Sequence, residues 1–157
     1  MSPRTRSRPE APELVEQRAG VRWLRWCGFE VAELSQGYRA ERGGTRQTPG
    51  LPDVYAMHPK GHACWWEAKS PEGRERESQI VFRENATACG ILVLTGPSLV
   101  VQEYLIRIGA ARRVEAGFLC DPTWAKAWPE GFPRQFIDHR AQEHRALRPR
   151  ATGPGRP

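Results

Sequence analysis

At 157 residues the chain is long enough for one domain with a real core. It carries a net charge of +6 and a pI near 9.6, and of its 24 basic residues only Lys60, Lys69 and Lys126 are lysines. Arginine forks match phosphate oxygens, so nucleic acid is the expected acidic partner, while the lack of any run near 18 apolar residues argues against a membrane partner.

Residues 1–12 hold Arg4, Arg6 and Arg8 among prolines and serines, and read as a disordered basic arm. No apolar h-region follows Met1, so no signal peptide is expected. Residues 13–27 read as a first helix, with Leu14, Val21, Leu24, Trp23 and Cys27 forming its apolar stripe. Pro12 suits its start and Gly28 its stop, and Glu13 and Glu16 lie in its first turns. Phe29–Leu34 alternates as a first strand. Residues 35–50 then form a long polar loop, where Arg39, Arg42 and Arg46 interleave with Tyr38 and glycines. Such a loop is suited to gripping a phosphate backbone.

Residues 53–57 and 63–69 read as two strands, joined by a hairpin through Pro59, Lys60 and Gly61. Alternation puts Glu67 and Lys69 on one face, and antiparallel pairing brings Asp53 beside them. Two adjacent carboxylates repel unless a positive charge lies between them. A divalent cation meets that need, and a lysine beside it orients water or offsets charge on an attacked phosphate. Cys64, Trp66 and Ala68 face the opposite way, into the core. Trp65 shares the face of Glu67 and reads as a core aromatic in preference to a base-stacking one.

After a charged turn around Gly73, Gln79–Cys89 reads as a second helix with Ser78 as its N-cap. Gln79 at its start is placed to bond a substrate phosphate or to hold Lys69. Residues 91–94 read as a short buried strand, and 98–110 as a third helix capped by Ser98. Residues 111–157 form a C-terminal extension, partly disordered. In it Trp124, Trp128, Phe132 and Phe136 either cover part of the core or form a partner surface. His139 and His144 read as solvated. Cys27, Cys64, Cys89 and Cys120 show no C-x-x-C spacing, which argues against zinc. Three of them lie in segments that look buried, where a small reduced hydrophobe is the usual role, and this favours a reducing cytoplasm.

Gly50, Pro52, Asp53, Glu67, Lys69, Gly73 and Gln79, with Glu16 upstream, together resemble the PD-(D/E)XK nuclease superfamily. Within it they resemble the stand-alone, virus-type VRR-NUC family. The resemblance spans roughly residues 13–95. It implies an α/β fold: a mixed sheet flanked by helices in the order α-β-β-β-α-β-α, within a nuclease domain over 13–110. It also implies a metal-dependent DNA endonuclease, with branched DNA such as Holliday junctions as a candidate substrate and a homodimer as the acting form. Asp53, Glu67, Lys69 and Gln79 would be catalytic. Mg²⁺ or Mn²⁺ would bind Asp53, Glu67 and the Ala68 carbonyl, with the helical glutamate Glu16 nearby. Two other readings compete: a non-catalytic basic nucleic-acid-binding module, and a nuclease subunit active only with a partner. G-x-x-x-x-G-K-[ST] is absent, so no nucleotide cofactor is expected.

Overall fold

A computed structural model of the chain describes residues 10–34, 48–115 and 117–130. Helix α1 (Pro12–Trp26) leads through Gly28 into strand β1 (Glu30–Glu33). Strands β2 (Val54–His58) and β3 (His62–Ala68) follow, then helix α2 (Glu77–Ala88) and strand β4 (Val93–Gly96). Helix α3 (Ser98–Arg107), a hairpin of β5 (Ala111–Val114) and β6 (Gly117–Cys120), and the short helix α4 (Pro122–Ala125) complete the described chain. The fold is α/β. Its four-stranded mixed sheet runs β1-β2-β3-β4, antiparallel except for the parallel β3–β4 pair. A parallel pair needs a crossover, which α2 supplies. Among the described residues no helix is long and apolar enough to cross a membrane.

Alternation along β2 and β3 sorts the sheet into two faces. Val54, Ala56, His58, Cys64, Trp66 and Ala68 are all buried on one of them, under α1 and α3. A Cβ at Gly20 of α1 would overlap the Trp66 indole, so only glycine lets that helix lie so close. The Trp66 indole N–H donates to the Gly96 carbonyl at 3.1 Å, satisfying its polar atom inside the core. The opposite face carries Asp53, Tyr55, Met57, Ala63, Trp65 and Glu67. Helix α2 covers only its β3–β4 half.

Several boundaries differ from the sequence reading. Helix α2 begins at Glu77 rather than Gln79, and its N-cap is Arg76 rather than Ser78. The Gln79 side chain supplies the missing cap by accepting the Arg76 backbone N–H at 2.8 Å. Helix α3 ends at Arg107, followed by Gly109 at φ +78°, and Ser98 lies inside its first turn after the N-cap Pro97. The fourth strand is 93–96, not 91–94. Trp65 N–H donates to the Leu92 carbonyl and Lys69 N–H to that of Gly96, which fixes the register and leaves Ile91 and Leu92 46% and 40% exposed.

The core also continues past residue 110. Ala111 and Trp124 belong to it, and Phe118 and Cys120 pack against it. Buried His58 holds α4 on the sheet. Its Nδ1 accepts the Lys60 N–H at 3.2 Å, so its Nε2–H donates to the Trp124 carbonyl at 2.9 Å. The Trp124 ring stacks on Phe29. The expectation of reduced cysteines is corrected: Cys27 and Cys120 form a disulfide with Cα atoms 5.3 Å apart, and Cys64 and Cys89 are free. The pairing joins the C-cap of α1 to the end of β6 and removes the argument from cysteine usage to a reducing compartment.

Candidate active site

The β2–β3 register sets the geometry of the acidic cluster. Val54 faces Trp66 and Tyr55 faces Trp65, so Asp53, one step before the strand, stands opposite Glu67. The Leu34 N–H donates to the Asp53 carbonyl at 2.8 Å, which anchors that step to the end of β1. Gly50, at φ +85°, turns the incoming chain against the start of α2. A Cβ there would overlap the Ser78 carbonyl, so the glycine before Pro52-Asp53 lets the segment carrying Asp53 and the helix carrying Gln79 meet.

Glu67 is 4% exposed and Lys69 7% exposed. Lys69 Nζ lies 2.9 Å from Glu67 Oε1, and the Gln79 amide donates to the same oxygen. Because Gln79 Oε1 is taken by the Arg76 N–H, its Nε2 is turned toward Glu67. Burial pushes the Glu67 carboxyl above its ordinary value. The Lys69 hydrogen bond and charge oppose this, while repulsion from Asp53 and Glu13 adds to it. The cluster thus sets the Asp53 and Glu13 carboxylates near the buried Glu67–Lys69 pair.

The upstream glutamates are placed differently from the expectation. Glu16 Oε2 accepts the backbone N–H of Ser98 at 2.7 Å and the Ser98 hydroxyl, and so caps α3. Glu13, one turn earlier in α1, has its Oε1 4.0 Å from Lys69 Nζ. Gly73 brings the β3–α2 turn against Glu13, since a Cβ there would sit 3.2 Å from Glu13 Oε1. Glu13 thus joins the cluster, and the sequence offered no signal to prefer it over Glu16. Arg39, Arg42 and Arg46 lie outside the described residues. Within them, Arg74 and Arg76 are exposed on the turn between Lys69 and Gln79. They are cations beside the cluster that the reading of the long loop overlooked.

Helix α2 is fastened mainly by polar contacts. Arg83 forks onto Glu75 at 3.0 and 3.1 Å, and the Thr95 hydroxyl donates to the same carboxylate at 3.2 Å. Hydrogen bonding from Arg83 lowers the Glu75 carboxyl below its ordinary value. Thr95 is the cross-strand neighbour of Glu67, so this network abuts the acidic cluster. Beyond the cluster on the same face, the rings of Tyr55 and Trp65 lie 4.8 Å apart, and Phe82 of α2 meets Trp65 edge-on at 5.7 Å.

Among the described residues no group of three or more His, Cys, Asp or Glu is arranged to hold a metal by itself. Mg²⁺ commonly takes only one or two carboxylates, with waters and substrate phosphate completing its shell. The oxygen donors of Asp53, Glu67 and the Ala68 carbonyl suit such a cation, and the crowding of carboxylates around Lys69 is the kind of excess negative charge it would relieve. Cavities of about 320 and 490 Å³ flank Leu119–Pro122 and share no residue with the cluster. Charge and burial mark the site. No family model, curated protein or solved structure matches the chain.

Proposed function

We propose that the chain is a divalent-metal-dependent DNA endonuclease with a PD-(D/E)XK core of the VRR-NUC type. The observation that carries this reading is buried Glu67 set opposite Asp53, with Lys69 Nζ 2.9 Å from its carboxylate. A buried carboxylate with two further carboxylates near it and a single ammonium to offset them leaves negative charge that a divalent cation would balance, and a solvated strand end has no reason to bury such a group. Asp53, Glu67 and the Ala68 carbonyl would hold Mg²⁺ or Mn²⁺, which would supply Lewis-acid stabilisation of the attacked phosphodiester. Lys69 orients the attacking water or offsets charge on the phosphate, and Gln79 holds Glu67 in place. Arg74 and Arg76, with Arg39, Arg42 and Arg46, supply phosphate contacts.

Acting as a homodimer, the protein would present two such sites related by a two-fold axis, the arrangement needed for paired cuts in a four-way junction. A nuclease subunit that needs a partner is the second reading. It is favoured by Val81, Ile91 and Leu92, which are exposed on α2 and just before the edge strand β4. The test is a cleavage panel of single-stranded, duplex, flapped and four-way DNA with Mg²⁺ and Mn²⁺. Metal-dependent cutting that disappears in Lys69→Ala is expected. Equal cutting by both proteins would overturn the proposal.

A further inference from the structure

The half of the site face that no described helix covers carries a strip of aromatic and small apolar side chains that begins at the acidic cluster. Register places Tyr55 beside Trp65, and Ala32 of β1 on the other side of Tyr55. Same-face residues recur about 7 Å apart along a strand, so this row lies one repeat below Asp53 and Glu67. The next row holds Met57 and Ala63, with Glu30 closing it on β1. Ala32, Met57 and Ala63 are exposed, and Tyr55 and Trp65 are half-buried. Phe82 braces Trp65 from the α2 side. The small alanine beside Tyr55 leaves the open flank of that ring unobstructed by its neighbour.

Resting on the nuclease reading above, we infer that Tyr55, backed by Trp65, is a stacking platform for an unpaired nucleobase next to the phosphate held at the acidic cluster. The step from Glu67 to the aromatic row is comparable with the reach from a phosphate to the base of its own nucleotide. The half-exposed Tyr55 ring, tilted 48° to the Trp65 indole behind it, offers an aromatic surface that receives a base face without regard to sequence. In a duplex both faces of each base are already covered by stacked neighbours, so only an unstacked nucleotide can use the platform. The net charge of +6 and exposed Arg74 and Arg76 draw in the strand, and the aromatic row selects its unpaired part. The preferred substrate is therefore DNA with a single-stranded nucleotide at the scissile position.

The test measures binding of the full chain in Ca²⁺, which occupies an oxygen site without supporting turnover, to a fluorescent thymidine homopolymer and to a blunt duplex of equal length. Tyr55→Leu should weaken homopolymer binding by about 10- to 100-fold and leave duplex binding unchanged, while Tyr55→Phe retains both. Ultraviolet cross-linking of an iodouracil-substituted single strand to the unaltered protein, mapped by mass spectrometry, should place the adduct on Tyr55 or Trp65 whether or not the leucine variant folds. Equal losses on both DNAs, no loss on either, or an adduct elsewhere overturns the inference. Cleavage that depends on Lys69 but ignores Tyr55→Leu defeats the platform alone. Tyr55-dependent single-strand binding without any cleavage supports the platform and defeats the nuclease reading.

Discussion

The two faces of the β2–β3 ladder differ in how they are held. One buries Val54, Ala56, Cys64, Trp66 and Ala68 under α1 and α3, with Gly20 cut back to admit the indole. The other buries Glu67 and Lys69 beneath α2, a helix with one buried residue, Ala86, which is fastened by Arg83–Glu75–Thr95 and by Gln79. Hydrophobic burial supplies stability on the first face. Buried charge costs stability on the second, and the fold tolerates it there because the first face is well packed. One hairpin thus separates what holds the protein together from the groups that would do its chemistry.

The largest expected effect breaks the packed face. Trp66→Ala should cost about 3–5 kcal/mol, read from urea unfolding, because it empties a fully buried site. Phe82→Ala, on half-buried α2, should cost less than half as much. Comparable losses would mean that α2 carries as much of the core as α1 and α3.

Gln79→Ala strikes the other face. It removes the donor to Glu67 and the acceptor for the Arg76 N–H. Metal affinity, measured by Mn²⁺ calorimetry, should fall by about 10-fold, the scale for lost partners of a ligating group. The unfolding midpoint should shift far less than in Trp66→Ala.

The smallest effect is in pH dependence. The Glu67 carboxyl is raised above its ordinary 4.5, so the metal-free fold binds that proton more tightly than the unfolded chain does. This contribution to stability is present in full below the unfolded value and is lost as pH rises through the folded one. Mn²⁺ competes with the same proton, so affinity should fall as pH drops through the same window above 4.5. Metal-free stability and metal affinity therefore move in opposite directions there. Glu13→Gln removes one repulsion and should shift the window to lower pH, as followed by Mn²⁺ titrations across pH.

The hairpin, the sorting of its two faces and the placing of Gln79 at the start of α2 were legible, because each follows from alternation, turn residues and a helix start within 30 residues of chain. The choice between Glu13 and Glu16 was not. They lie one turn apart on α1, and what separates them is where the distant N-terminus of α3 lands. Cys27 and Cys120 are 93 residues apart and meet only because the β5–β6 hairpin folds back onto α1. The apolar run 91–94 suggested a buried strand, but hydrogen bonding from β3 sets the strand two residues later. Local pattern specified the elements, and long-range packing decided which side chains they bring together.

The central claim, that Asp53 and Glu67 hold a metal which Lys69 helps to use, is tested most directly by Mn²⁺ calorimetry run beside a cleavage assay on three proteins. Asp53→Asn should lose both metal binding and cleavage. Lys69→Ala removes the ammonium 2.9 Å from Glu67, so it should bind Mn²⁺ as well as or better than the unaltered protein. Its cleavage should nevertheless fall by about 100-fold or more, the scale of lost transition-state electrostatics. Normal Mn²⁺ binding by Asp53→Asn, or near-normal cutting by Lys69→Ala, would contradict the account.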